Sequence, residues 1–194
     1  MSTLNDADRR EYYRIEDLIA LEITPLSASE AASSEVLQDA SPLFNLLSEL
    51  HLSEFESQHL LRQLGEHDRT LAAFLKVQNK RMDLLSQVMA QSLLGDIGAP
   101  QPVIISEGGI DFQHPTLLAP GSHLAVKLVL MPQALGLLLR ARVTHCDPKG
   151  TGFDVGTEFE AMTDAQRQLL ARYILQKQAQ ERRLAREQSD AQDT

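Results

Sequence analysis

Three arginines stand within six residues near the start of the chain, in Arg9-Arg10-Glu11-Tyr12-Tyr13-Arg14. They form the sharpest basic cluster in an acidic chain. A guanidinium is a planar fork that matches phosphate oxygens, pairs bidentately with O6 and N7 of guanine, and stacks on base planes. The plainer role of such a run is a solvated face. A second element lies far along the chain, at Ile104-Ile105-Ser106-Glu107-Gly108-Gly109. Here a strand ends in a serine and a glycine pair and restarts at Ile110. Glycines let a ligand approach the backbone, and a serine hydroxyl can contact phosphate. The plainer role is a tight β-turn.

Other chemistry is poorly supported. The six histidines, at 51, 59, 67, 114, 123 and 145, show no metal-ligand spacing, so no metal site is expected. His145 and Cys146 are adjacent, but neighbours on a strand point to opposite faces, which separates a base from its nucleophile. No Walker-type loop, nucleophile elbow or paired catalytic carboxylates occur, and the chain is not expected to be an enzyme. Cys146 is the only cysteine, which excludes an intramolecular disulfide and fits a reduced, cytoplasmic setting. The net charge of −9 argues against binding to a nucleic-acid polymer or an anionic membrane surface. The charged start has no signal-peptide pattern, and no apolar run approaches a membrane span. Arg182, Arg183 and Arg186 alternate with Glu181 and Glu187 and read as a solvated helix face.

The elements that must position these residues fall into zones. Residues 1–13 read as a flexible, arginine-bearing arm. Arg14 to Leu26 reads as a strand, with Ile15, Ile19, Leu21 and Ile23 at mostly period-2 spacing. Residues 27–40, rich in Ser, Ala and Glu, read as a connector. Beyond Pro100 five apolar runs, at 102–106, 109–113, 123–131, 137–146 and 152–159, are separated by Gly and Pro; Asp147-Pro-Lys-Gly150 reads as a turn. This spacing predicts a small barrel or sandwich. From Thr163 to about Gln188 the pattern is helical, with Leu169, Leu170, Tyr173 and Ile174 on one face.

Residues 41–94 are different. Ser41-Pro42 starts a helix well; a short helix over 43–50 and a second, long one from about 53 to 94 are predicted, the latter about 60 Å long at 1.5 Å per residue. A heptad places Leu61, Asp68, Leu75, Met82 and Met89 at position a, and Leu64, Leu71, Gln78, Leu85 and Ser92 at position d. Leu60, Phe74, Val77, Leu84 and Val88 lie beside this seam. Such a stripe either packs on its own domain or drives self-association. A small barrel cannot cover its length, which favours a homo-oligomer.

The spacing Arg9-Arg10-xxx-Arg14 before a strand, followed by a Ser-x-x-Gly turn, resembles the two ligand motifs of the PilZ family, an RRxxxR arm and an (Asp/Asn)-x-Ser-x-x-Gly loop. The stretch Phe153-Asp-Val-Gly156-Thr-Glu-Phe159 and its following helix resemble that family's last strand and C-terminal helix. The resemblance covers roughly residues 9–26 and 100–176. The segment between is similar to a tetramer-forming PilZ subgroup with an inserted heptad helix. The resemblance implies an α+β fold: a six-stranded antiparallel β-barrel over 14–26 and 99–190, with a C-terminal helix and an inserted helical, coiled-coil oligomerisation segment at 41–94. It also implies a bacterial cyclic di-GMP receptor or adaptor in which Arg9, Arg10 and Arg14 contact guanine and phosphate, Ser106 and Gly109 sit in the second motif, and a downstream protein is the partner. One position departs, since Ile104 replaces the family's Asp or Asn. Losing that hydrogen-bonding side chain costs about 1–3 kcal/mol. A ligand-free oligomeric scaffold is the alternative.

Overall fold

Alternating burial defines the first strand. Ile15, Ile19 and Leu21 are buried while Glu16, Leu18 and Glu22 are exposed, the period-2 signature of a sheet with one face on a core. The computed structural model describes residues 13–33 and 37–192, with side chains to 187. It contains six strands: β1 (Ile15–Pro25), β2 (Gln101–Ile105), β3 (Ile110–His114), β4 (His123–Leu130), β5 (Leu135–Lys149) and β6 (Gly152–Glu160). All neighbours are antiparallel, and the sheet closes in the order β1-β2-β3-β6-β5-β4. Closure leaves no unpaired sheet edge.

Among the described residues four helices accompany the barrel: α1 (Ala28–Ala32), α2 (Pro42–His67), α3 (Arg69–Ile97) and α4 (Asp164–Gln192). The barrel interior is filled by Ile, Leu and Val from every strand, and Leu169, Leu170, Tyr173 and Ile174 of α4 complete that core. Each such side chain contributes about 1.5–3 kcal/mol on burial. Asp17 breaks the apolar parity of β1. Its carboxylate accepts hydrogen bonds from the Tyr173 hydroxyl and, at 2.5 Å, from Lys177 Nζ, tying α4 to β1. Burial, and then the bond to Asp17, push the Tyr173 phenol well above its ordinary range.

A second core lies outside the barrel. Ala20 and Val129 face outward, and Phe44 and Leu47 of α2 pack on them together with Ala90, Leu93 and Ile97 of α3. Lys127 points outward from β4 into the same junction. Its ammonium lies 2.9 Å from Asp39, 3.1 Å from Glu22 and 5.0 Å from the centre of the Phe44 ring. Asp39 also accepts from Ser41 N–H at 2.7 Å, just before α2. The charge cluster therefore fixes the point at which the helical insertion leaves the barrel.

The insertion differs from the sequence expectation. No break falls between residues 50 and 53. Instead α2 runs through His51, whose ring nitrogens lie 2.9 Å from the Leu47 carbonyl and 3.0 Å from that of Gln133. The break comes at Asp68, with φ −138° and ψ 95°. Its side chain accepts from Leu71 N–H at 2.9 Å and so caps α3. The helices then fold back on each other: a Cβ added at Gly65 would lie 3.8 Å from Ala72 Cβ, whereas seven residues of continuous helix span about 10 Å. The long helix is thus an antiparallel hairpin. Two smaller differences occur. The connector contains a one-turn helix, α1, with a Ser27–Glu30 capping box. Pro148 lies within β5, opposite Phe153, and the turn is Gly150-Thr151, where Gly150 has φ +62°.

Candidate functional site

The β2–β3 turn is built from its own residues. Ser106 N–H donates to the Gly109 carbonyl at 2.9 Å, Gly108 N–H donates to Ser106 Oγ at 3.2 Å, and Ser106 Oγ donates to the Gly109 carbonyl at 3.4 Å. Ser106 is buried. The glycine pair is pressed against β6: Phe159 N–H donates to the Gly108 carbonyl at 2.8 Å, and a Cβ at Gly109 would overlap the Thr157 carbonyl. Both residues therefore have a structural role in the turn, and Gly109 is needed for close approach rather than for an unusual φ.

Arg14 stands one residue before β1, opposite Ser106, because Ile15 pairs with Ile105. Its Nη1 lies 3.4 Å from Asp111 Oδ2. Arg9 and Arg10 lie outside the described residues, so among the sequence-predicted site residues the structure places Arg14, Ser106 and Gly109, and brings these three to one end of the barrel.

The register adds a residue that sequence reasoning did not assign. Ile104 pairs with Glu16 on one side and Asp111 on the other, and Asp111 pairs with Gly156, which pairs with His145. These five residues form one row across β1, β2, β3, β6 and β5. Their neighbours Ile15, Val103, Ile105, Ile110, Phe112 and Val155 point into the core, so the row lies on the outer face. Asp111 thus presents a carboxylate directly beside Ile104. The His145 ring lies over Gly156, where a Cβ would overlap it. Cys146 packs on the opposite, interior side, which separates the pair as strand geometry requires. Among the described residues no cluster of His, Cys, Asp and Glu could hold a metal ion, and no helix is long and apolar enough to cross a membrane.

The other conspicuous surface is the hairpin. Leu71, Phe74, Val77, Leu84, Leu85 and Val88 of α3 are 43–66% exposed. The buried residues of α3 are small, as Ala72, Ser86 and Ala90 are, or near the barrel, as Leu93 and Ile97 are. The apolar stripe expected from the heptads is therefore left largely open by the hairpin's own packing.

A closed six-stranded antiparallel barrel with a C-terminal helix completing its core, a Ser-x-x-Gly turn beside the arginine that precedes β1, and an inserted helical hairpin define the class of protein. The PilZ domain model matches residues 76–176, more than half of the chain, and the chain belongs to the PilZ family. Among solved structures it is similar to a pathogenic protein of Xanthomonas campestris, a tetrameric PilZ domain self-assembled via an unusual helical bundle. That match has a TM-score of 0.54 at 17% identity, over 92% of this chain and 95% of that one, and shows a shared fold. The inhibitor of motility of Bacillus subtilis matches 42% of each chain at 22% identity with a TM-score of 0.36. No curated protein matches the chain.

Proposed function

We propose that this chain is a cytoplasmic cyclic di-GMP receptor and adaptor of bacterial second-messenger signalling that self-associates, with a tetramer favoured, through its inserted helices. The observation that carries the ligand reading is Arg14 reaching Asp111 beside the Ser106–Gly109 turn. The face carries carboxylates from Glu16 and Asp111, so an anionic dinucleotide requires the guanidiniums of Arg9 and Arg10 in addition to Arg14. In this reading Asp111 takes over, from the adjacent strand, the acceptor that Ile104 lacks, and releases Arg14 to phosphate or guanine when ligand arrives. Engagement of the arm's arginines by ligand then changes the surface offered to a downstream protein. Members of the family act as receptor or adaptor domains, in keeping with a chain that binds rather than catalyses. The self-association reading rests on the exposed apolar stripe of α3 and on the helical-bundle tetramer of the Xanthomonas protein.

Titration calorimetry with cyclic di-GMP tests the ligand. Micromolar or tighter binding by the native chain, lost in Arg10→Ala and weakened at least tenfold in Asp111→Ala, is the expected result. No binding by the native chain at high micromolar ligand refutes it. The second reading, a ligand-free oligomeric scaffold, is favoured by Ile104, which is 38% exposed where the family has a polar residue, and by a Ser106 hydroxyl already engaged within its turn.

A further inference from the structure

The heptad and the hairpin are in conflict, and the conflict is informative. The seven-residue repeat runs in phase through Leu61, Leu64, Asp68, Leu71 and Leu75, as though residues 42–97 were one helix. The backbone interrupts it at a single residue. Asp68 N–H still donates to the Leu64 carbonyl at 2.8 Å, and Ala72 N–H to the Asp68 carbonyl at 3.0 Å. Both are ordinary helical bonds. Between them only the N–H groups of Arg69, Thr70 and Leu71 lack their helical acceptors at Gly65, Glu66 and His67, and Leu71 is served by the Asp68 side chain. Rotation of Asp68 into the helical region would complete a ladder about 85 Å long.

The pairing within the hairpin is also symmetric about this residue. Gly65 approaches Ala72, Glu54 and Asp83 line one cavity, and Phe44 and Leu93 share one apolar cluster. Each pair is equidistant from the Asp68–Arg69 bond. Two opened helices lying antiparallel would reproduce these juxtapositions between copies, with a two-fold axis at the hinge. The barrel junction would be retained as well, because α2 brings Phe44 and Leu47 to it and α3 brings Leu93 and Ile97.

We infer that Asp68 is a hinge through which two copies of this chain exchange β1 and α2. In the exchanged dimer β1 of one copy fills the gap between β2 and β4 of the other. A closed monomer and an exchanged dimer then have the same contacts apart from the hinge, which is the condition under which exchange is cheap, and a one-residue connection between two long helices promotes it. The consequence for the candidate site is direct. Arg14 precedes β1 whereas Ser106, Gly109 and Asp111 follow α3, so each site is completed by the partner copy. The inference rests on the self-association reading.

The test uses two chains carrying Cys146→Ser, one with Glu16→Cys and the other with Ile104→Cys, co-expressed and mildly oxidised. These positions are direct partners in the register, and paired antiparallel Cα atoms fall in the disulfide range. Exchange predicts a covalent heterodimer on a non-reducing gel, in the statistical share of mixed pairs. Inserting Gly-Ser-Gly-Ser after Asp68 should abolish it, because a flexible connection cannot continue the helix and favours the closed hairpin. Light scattering separates the failures. An oligomer without heterodimer, while both substitutions on one chain close an intrachain bridge, overturns the exchange and leaves self-association standing. An oligomer unaltered in cross-linking by the insertion also overturns the hinge. A monomer at all concentrations overturns both.

Discussion

Replacing Lys127 by methionine isolates the charge cluster that joins the helical insertion to the barrel. Methionine keeps the aliphatic stem against Phe44 and removes the ammonium. Two ion pairs are lost, and they are unequal. Glu22 is 47% exposed on its side chain, so its pair is screened and contributes less than about 1 kcal/mol. Asp39 is 14% exposed and Lys127 9%; a hydrogen bond between charged, largely buried partners contributes about 1.5–3 kcal/mol. Desolvation alone would lower the Lys127 pKa. The hydrogen bonds to Asp39 and Glu22 outweigh it and hold the ammonium above its ordinary range. Lys127→Met is therefore expected to cost about 2–4 kcal/mol, partly because the Asp39 carboxylate loses its charged partner and keeps the Ser41 N–H. Urea unfolding of the two single variants and of Lys127→Met with Asp39→Asn forms a double-mutant cycle. Coupling above about 1 kcal/mol supports the assignment. Coupling under about 0.5 kcal/mol would refute the claim that this pair anchors the insertion, and the junction would then rest on the apolar cluster alone. Because the folded pKa of Lys127 is raised, its contribution is complete below the unfolded value near 10.4 and disappears as pH rises through the folded one.

Two further outcomes follow from the barrel. Tyr173→Phe removes the hydroxyl that Asp17 accepts from and should cost about 1–3 kcal/mol in thermal or urea unfolding, leaving the Lys177 bond in place. The raised Tyr173 pKa means that folding favours the protonated phenol; its stabilisation is full below about pH 10 and is lost as pH rises through the folded value. Absorbance at 295 nm should show one tyrosine that ionises only on alkaline unfolding, absent from Tyr173→Phe; its ionisation in the native protein near pH 10 would contradict the geometry. Gly109→Ala drives a methyl into the Thr157 carbonyl and should destabilise by about 1–3 kcal/mol, lowering ligand affinity only through the displaced turn. A variant as stable as the native chain would show that the β2–β3 turn has room to shift.

The strands were legible because burial on one face imposes a period of two. Thus β1 with Ile15, Ile19 and Leu21 and the apolar runs after Pro100 fall close to their observed bounds, and the same logic separated His145 from Cys146. The Ser106–Gly109 turn was legible because serine and glycine punctuate a strand in few other ways. The helical character of residues 41–94, its capping serine and its apolar stripe were also local properties of the chain. The fold-back at Asp68 was not. A seven-residue repeat is identical in a straight helix and in a closed hairpin, and an aspartate at a seam position is equally a register-fixing polar residue or a helix cap; only the backbone of Asp68, which leaves the helical region and brings Gly65 against Ala72, chooses between them. Asp111 beside Ile104 was illegible for a similar reason, since it depends on the pairing of β2 with β3 around a turn whose length decides which side chains share a face. Composition, periodicity and turn chemistry act over a few residues and determined the elements; register, closure and the partner of each exposed face depend on contacts between residues far apart in the chain, and the tertiary structure alone decided those.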